Sequence, residues 1–174
     1  NKGSYQQYFN VYQDSLVDAG LEVNGQAFQL DKDFNPAGSA IQATMRFSEI
    51  VFAGANATDS LKNMNLNGRL VMIIGSNTQG RGQFAAIPAH LQNKGIAAIL
   101  IVQTAYPRTT PAGRKGNQTI NLFRRTISPQ QFTISESVAK AIAGNDFERL
   151  KADVKAIQTI NANILMEVEK TAIS

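Results

Sequence analysis

The sequence has no cysteine, no tryptophan and a single histidine, His90, in 174 residues. Without cysteine there is no disulfide scaffold, thiolate zinc site, iron–sulfur cluster or cysteine nucleophile. With one histidine, neither a histidine-rich metal site nor a two-histidine relay can be built inside the chain. Long hydrophobic runs are also missing. The longest are Leu70–Ile74 and Ile96–Val102, far short of the ~20 residues of a membrane-spanning helix. No signal-peptide pattern is visible at the start. Charged residues are sparse, at 17% against about 25% in an average domain, and 15 Asn and 14 Gln supply polar surface in their place. At 43% hydrophobic the chain is too apolar for disorder. It is long enough for one domain that buries about 70% of its unfolded surface without staples.

One absence is local. From Ser60 to Ser135 there is no Asp or Glu, while the stretch holds Lys62, Arg69, Arg81, Lys94, Arg108, Arg114, Lys115, Arg124 and Arg125, a charge of +9. The whole chain is +4, so the two ends together carry −5. Either the basic middle faces an anionic ligand or partner, or the acidic ends fold over it and neutralise it. Nucleic acid is not expected, because the cations are not interleaved with aromatics that could stack on bases and no recognition-helix pattern is present.

The periodicities predict an alternation of strands and helices. Tyr5, Tyr8, Phe9, Tyr12 and Leu16 form one stripe at helical spacing, which predicts an amphipathic helix over Ser4–Ala19 with Gly20 as its stop. An irregular arm follows, with a short strand at Ala27–Leu30. Ile41–Phe52 alternates and reads as a strand, Asp59–Met64 as one helical turn, and Leu70–Ile74 and Ile96–Val102 as strands buried on both faces. Between the last two lie a Gly-rich loop, Gly75–Gly82, and a helix over Gln83–Lys94 that Pro88 interrupts. Strand, loop, helix, strand makes a βαβ crossover with a parallel pair. Thr104–Asn121 reads as a long loop, of a length that tends to be functional. A strand at Gln131–Ile134, a helix over Ser135–Ala143, a helical stretch from Asn145 to about Lys155 and a strand over Thr159–Glu169 complete the chain.

Candidate chemistry is thin. The Gly75–Gly82 loop sits where phosphate-binding loops sit, after a strand and before a helix. Its residues fit neither pattern: Arg81 and Gly82 stand where a P-loop needs Lys then Ser or Thr, and the glycine spacing is not that of a dinucleotide fold. His90 lies on the polar side of its predicted helix without an acidic neighbour in sequence, and no Gly-x-Ser-x-Gly elbow exists. The acidic pairs Asp14/Asp18 and Asp31/Asp33 could clasp a cation or simply form a solvated face. The sequons at Asn56 and Asn117 matter only in a eukaryotic secretory pathway. No catalytic or zinc-ligand set is visible, which points to a binding, lid or assembly module. The alternative is a nucleotide- or anion-binding α/β domain using Gly75–Gly82, for which saturable binding abolished by Arg81→Ala would be the sign. A small hydrolase is disfavoured by the residue inventory.

The segment from Ile50 to Val102 resembles the protease-associated, or PA, domain. The resemblance rests on Phe52-Ala53-Gly54 ending a strand, on Leu66-Asn67-Gly68-Arg69-Leu70-Val71-Met72-Ile73, and on Phe84 followed by Gly95-Ile96-Ala97-Ala98-Ile99-Leu100-Ile101. Gln131–Ser135 and the helix after it keep the family's order, so the likeness runs from 50 to 170. Pro88 departs from the family's unbroken helix, and the family's cysteines near the Gly-rich loop are missing. The flank Asp18-Ala19-Gly20-Leu21-Glu22 looks like the helix end that precedes such domains in secreted di-zinc aminopeptidases.

The resemblance implies an α/β fold of the swivelling β/β/α type, with a central mixed sheet, the βαβ crossover and the N-terminal amphipathic helix. It implies a division into residues 1–48, helix and arm, and 49–174, the PA-like domain. It implies a non-catalytic protein-interaction or substrate-access module of an extracytoplasmic, periplasmic or secreted, zinc aminopeptidase. The expected partners are the catalytic domain of the same parent chain and peptide substrates, with no nucleic acid and no membrane span. No cofactor is expected in this chain, zinc belonging to the catalytic domain. The candidate contact residues for an anionic partner are Arg108, Arg114, Lys115, Arg124 and Arg125, which lie between Thr104 and Ile127 with no acid among them.

Overall fold

A computed structural model of the chain describes residues 12–37, 40–75, 89–106, 118–121 and 129–173. Its strands in chain order are β1 (Tyr12–Val23), β2 (Gln26–Phe28), β3 (Phe34–Pro36), β4 (Ala43–Ala53), β5 (Leu70–Ile74), β6 (Ala98–Gln103), β7 (Gln118–Asn121), β8 (Gln130–Ser135) and β9 (Ile157–Ile173). The helices are α1 (Ala89–Gln92), α2 (Glu136–Ala143) and α3 (Phe147–Ala152), and a 3-10 turn at Thr58–Asn63 follows β4. All the described strands join one mixed sheet in the order β2-β1-β9-β4-β5-β6-β8-β3, with β7 pairing the start of β1. The middle, β4-β5-β6-β8, is parallel, and the flanks are antiparallel.

The two ends of that order, β2 and β3, are joined only by residues 29–33. That connection spans roughly 20 Å at full stretch, so the ends of the sheet come together and the sheet curls almost into a barrel. The curl creates an inner face. Ile50 and Phe52 of β4, Leu70 and Met72 of β5, Ala98, Leu100 and Val102 of β6, and Phe132 and Ile134 of β8 point into it. Helices α2 and α3 add Val138, Ala139, Ile142, Phe147 and Leu150. The intervening residues Val51, Ala53, Val71, Ile73, Ile99 and Ile101 point the other way, into a second cluster closed by Leu61, Leu66, Leu91 and Ile96. Strands buried on both faces carry continuous apolar sequence, which is why Leu70–Ile74 and Ile96–Val102 were legible and why they pair as the parallel neighbours expected. Of the predicted helix Gln83–Lys94 the structure describes Ala89–Gln92 as helix, and 83–88 lie outside the described residues. Lys94 follows as a cap: its ammonium donates to the carbonyls of Leu61, Lys62 and Met64, tying the end of the crossover to the 3-10 turn.

Two expectations are corrected. The described part of the N-terminal helix, from Tyr12 to Ala19, is strand. Strand β1 is paired along β9 on one side and with β7 and β2 on the other, and this tertiary pairing overrides the helical spacing of its apolar residues. An extra residue at Val17 shifts the register between Leu16 and Asp18. The inward positions therefore change phase from Leu16 to Ala19, Leu21 and Val23, as a β-bulge requires. Gly20 is not a helix cap but a mid-strand residue opposite Glu167. Tyr5, Tyr8 and Phe9 lie outside the described residues. The second correction is the end of the Thr104–Asn121 loop: Gln118–Asn121 is the strand β7, hydrogen-bonded to β1.

Strand β4 shows a similar change of phase. Its register with β9 shifts between Phe47 and Glu49, so Met45 and Phe47 pack inward before the shift and Ile50 and Phe52 after it. Strand β9 is the long alternating strand expected, with Ala162, Ile164, Met166 and Val168 inward. Helix α2 begins after Ser135 as expected, although the Ser135 hydroxyl bonds the Ser137 hydroxyl at 2.6 Å rather than capping the helix. The stretch after Asn145 is shorter than expected and ends at Ala152.

Candidate functional site

The carboxyl ends of parallel strands are where open α/β sheets place their ligands. Here those ends are Gly54 after β4, Gly75 after β5, Gln103 closing β6 and Ser135 closing β8. Gly75 is held in the ladder, its N–H donating to Val102 O at 2.8 Å, and a Cβ there would stand 2.9 Å from that same oxygen. The glycine is thus needed for close approach of β5 to β6. The rest of the Gly-rich loop, including Arg81, lies outside the described residues. His90 is placed in α1, and its side chain is not described.

Arg108, Arg114, Lys115, Arg124 and Arg125 also lie outside the described residues. What the structure fixes is how their segment is tethered. It begins after Tyr106, touches the β1 edge at β7, and returns before Pro129 to enter β8. Tyr106 is anchored: its hydroxyl donates to Asp31 O at 3.3 Å and accepts from the Asn35 amide. At the far end, the buried Gln130 exchanges both amide hydrogen bonds with the backbone of Ile41, at 2.9 and 3.2 Å.

The described cations of the basic middle have structural partners. Lys62 pairs with Asp59 at 2.9 Å, Arg69 with Glu49, and Lys94 with the three carbonyls above. Glu49 belongs to the acidic N-terminal part, so at Arg69 the neutralising arrangement holds.

A polar trough that the sequence reading did not assemble lies on the outer face where β1, β9 and β4 meet. It has a volume of about 540 Å³ and is lined by Asp18, Gly20, Gln42, Thr44, Glu167 and Glu169. Glu167 and Glu169 alternate with the inward Met166 and Val168, which was the available signal. Asp18 comes beside Glu169 only through the β1–β9 register. Among the described residues no group of three or more His, Asp or Glu side chains is arranged to hold a metal ion. With no cysteine and one histidine in the chain, the residues present do not fit a di-zinc centre. Elsewhere, Lys140 of α2 and Glu148 of α3 form an exposed pair at 2.8 Å. Their hydrogen bond holds the Glu148 carboxyl below its ordinary value and raises that of Lys140.

Two solved peptidases share this fold. One is an aminopeptidase from Aneurinibacillus sp. strain AM-1, with a TM-score of 0.53 and 15% identity, covering 94% of this chain and 34% of that one. The other is a peptidase M28 precursor from Shewanella amazonensis SB2B, with a TM-score of 0.53 and 15% identity, covering 95% of this chain and 38% of that one. At this identity the likeness is one of fold. The chain therefore spans about a third of the length of the peptidases it matches. No protein-family model and no curated protein sequence matches the chain. Among the described residues no helix is long and apolar enough to cross a membrane.

Proposed function

We propose that this chain is a non-catalytic accessory module of a zinc aminopeptidase, a PA-type swivelling β/β/α domain that shapes the approach of peptides to a catalytic domain carried elsewhere in the parent polypeptide. The observation that carries the reading is coverage: nearly the whole of this chain overlays only a third of each peptidase. The residue inventory supports it: the chain has no cysteine and one histidine, and among the described residues no group of three or more His, Asp or Glu side chains could hold a metal ion. The parent works outside the cytoplasm, in the periplasm or the medium. Its catalytic domain, which gathers carboxylates around zinc, is the module's principal partner, and peptides are its second.

In this reading Arg108, Arg114, Lys115, Arg124 and Arg125 face that catalytic domain or an acidic substrate. Cations crowded in one segment repel one another, and an anionic surface relieves the repulsion. Exposed ion pairs are worth only about 0–1 kcal/mol each, so docking is cumulative, and with a Debye length of about 8 Å at physiological salt it is salt-sensitive. Neutralising Arg114, Lys115, Arg124 and Arg125 together in the parent is expected to lower kcat/KM severalfold at low salt, more for acidic than for neutral peptides, and the difference should shrink at high salt. Unchanged kcat/KM for both peptides at both salts would remove these charges from any role in access.

A further inference from the structure

Strand β4 outruns its neighbour on one side. Along β9 it is paired from Ala43 to Ala53, but β5 begins at Leu70, opposite Ile50. Among the described residues no strand lies beside residues 43–48 on the β5 side. The ladder gives the direction of the backbone groups there. Asn24 N donates to Asn163 O at 2.7 Å, and Asn163 N donates to Asn24 Oδ1 at 2.9 Å, so Asn163 turns its backbone groups toward β1. Along an antiparallel ladder the direction alternates. Ile164, Met166 and Val168 therefore turn theirs toward β4, where they meet Phe47, Met45 and Ala43. Thr44 and Arg46 lie between these and turn their N–H and C=O groups the other way, to the open edge. Both residues are exposed. An open edge of this kind is a template for a further strand.

At the end of that edge, where β5 starts, there is a notch of about 210 Å³ whose lining includes Arg46, Phe47, Ser48, Glu49, Gly68 and Arg69. It is smaller than the roughly 300–1,000 Å³ of small-molecule pockets and fits the end of a chain. Arg69 is paired with Glu49, and Arg46 has no ion-pair partner among the described residues. Two guanidiniums against one carboxylate leave the notch positive. A guanidinium takes a carboxylate with two parallel hydrogen bonds. A strand laid on the edge in line with β5 runs parallel to β4 and brings its carboxyl end to the notch. The reverse direction would bring an ammonium group to the arginines.

We propose that this edge binds an extended peptide, added to β4 as a parallel strand through the N–H and C=O groups of Thr44 and Arg46, with its C-terminal carboxylate held in the notch by Arg46 and Arg69. Main-chain bonds accept many sequences, and capture of the carboxylate supplies the selectivity. That such peptides arrive beside a catalytic domain rests on the accessory-module reading. The binding itself belongs to this chain and is measured on it alone, so the two fail separately.

Fluorescence polarisation tests it with a pair of N-terminally labelled short peptides of alternating Thr and Val, one ending in the free acid and the other in the amide. The free acid should bind the 174-residue chain saturably, at least about tenfold more tightly than the amide, the scale of one charged hydrogen bond. Arg46→Gln should bring the affinity for the acid down to that for the amide. Thr44→Pro removes an N–H that faces the open edge, a position proline tolerates. It should weaken both peptides at least about tenfold and leave the Tm near that of the wild type. If that variant does not fold, the comparison of acid with amide and the Arg46→Gln chain still decide. Absence of saturable binding, equal affinity for acid and amide, or a folded Arg46→Gln or Thr44→Pro chain that binds the acid as the wild type does would each overturn the proposal.

Discussion

Phe132→Ala should lower the stability of the chain by about 3–5 kcal/mol, the range for removing a fully buried aromatic side chain. Phe132 is completely buried, as is Phe34, and their rings stack at 5.6 Å with an interplanar angle of 5°. Strand β8 pairs Phe132 with Leu100 of β6 on one side and Pro36 of β3 on the other. The ring thus sits where the parallel middle of the sheet meets its last strand, and removing it opens a cavity that backbone on both sides cannot collapse to fill. The stack adds about 0.5–1.5 kcal/mol beyond area burial. Against a total of about 5–15 kcal/mol for a typical domain, the loss is large. Urea unfolding measures it: the midpoint should fall with m unchanged. A loss under about 0.5 kcal/mol, the scale of a surface change, would mean that β3 does not close the sheet as described.

Gly54→Ala should cost about 3 kcal/mol, at the upper end of overpacking penalties. A Cβ at Gly54 would stand 2.6 Å from Asp153 O and 2.8 Å from both Val154 C and Val154 O. Those atoms are backbone, so no side chain can swing aside. The segment is also stitched, Gly54 N donating to Ala156 O at 2.8 Å and Asn56 N to Val154 O at 2.7 Å, and moving it breaks bonds that would then be unsatisfied. Gly68→Ala is the matched control. Nothing lies within 4 Å of its added Cβ, but its φ is +70°, so it pays only the left-handed penalty of about 1–2 kcal/mol. If the two variants unfold at the same urea concentration, crowding at Gly54 is not the cause.

How much of this was readable beforehand depended on whether local pattern and tertiary contact agreed. They agreed for β5 and β6, whose unbroken apolar runs have a core on each side, and for β9, whose alternation matches one buried and one exposed face. They disagreed for β1. Tyr12 and Leu16 extend a helical stripe, yet two neighbouring strand edges claim this backbone, and the bulge at Val17 disguises its alternation. Strand β7, Gln-Thr-Ile-Asn, has one apolar residue and exists by pairing to β1, which no local signal reveals. The same holds for the polar sites. Asp31 and Asp33 stand out as an acidic pair, but Asn35 does not, and Tyr106 reaches their turn through Asn35 from 71 residues further along the chain. Arg108, Arg114, Lys115, Arg124 and Arg125 stand out by charge alone, and of their segment the structure describes the tethers, Tyr106, β7 and Pro129.

In the proposed function peptide-bond chemistry belongs to another part of the parent polypeptide, and one assay tests this most directly. The 174-residue chain and the parent are each incubated with zinc and an aminoacyl anilide, and anilide release is followed with and without a chelator. The expected result is release by the parent that the chelator abolishes, and no release by the chain above buffer. Zinc-dependent turnover by the chain alone, copurifying with it and lost in the His90→Ala variant, would contradict the assignment of a non-catalytic module.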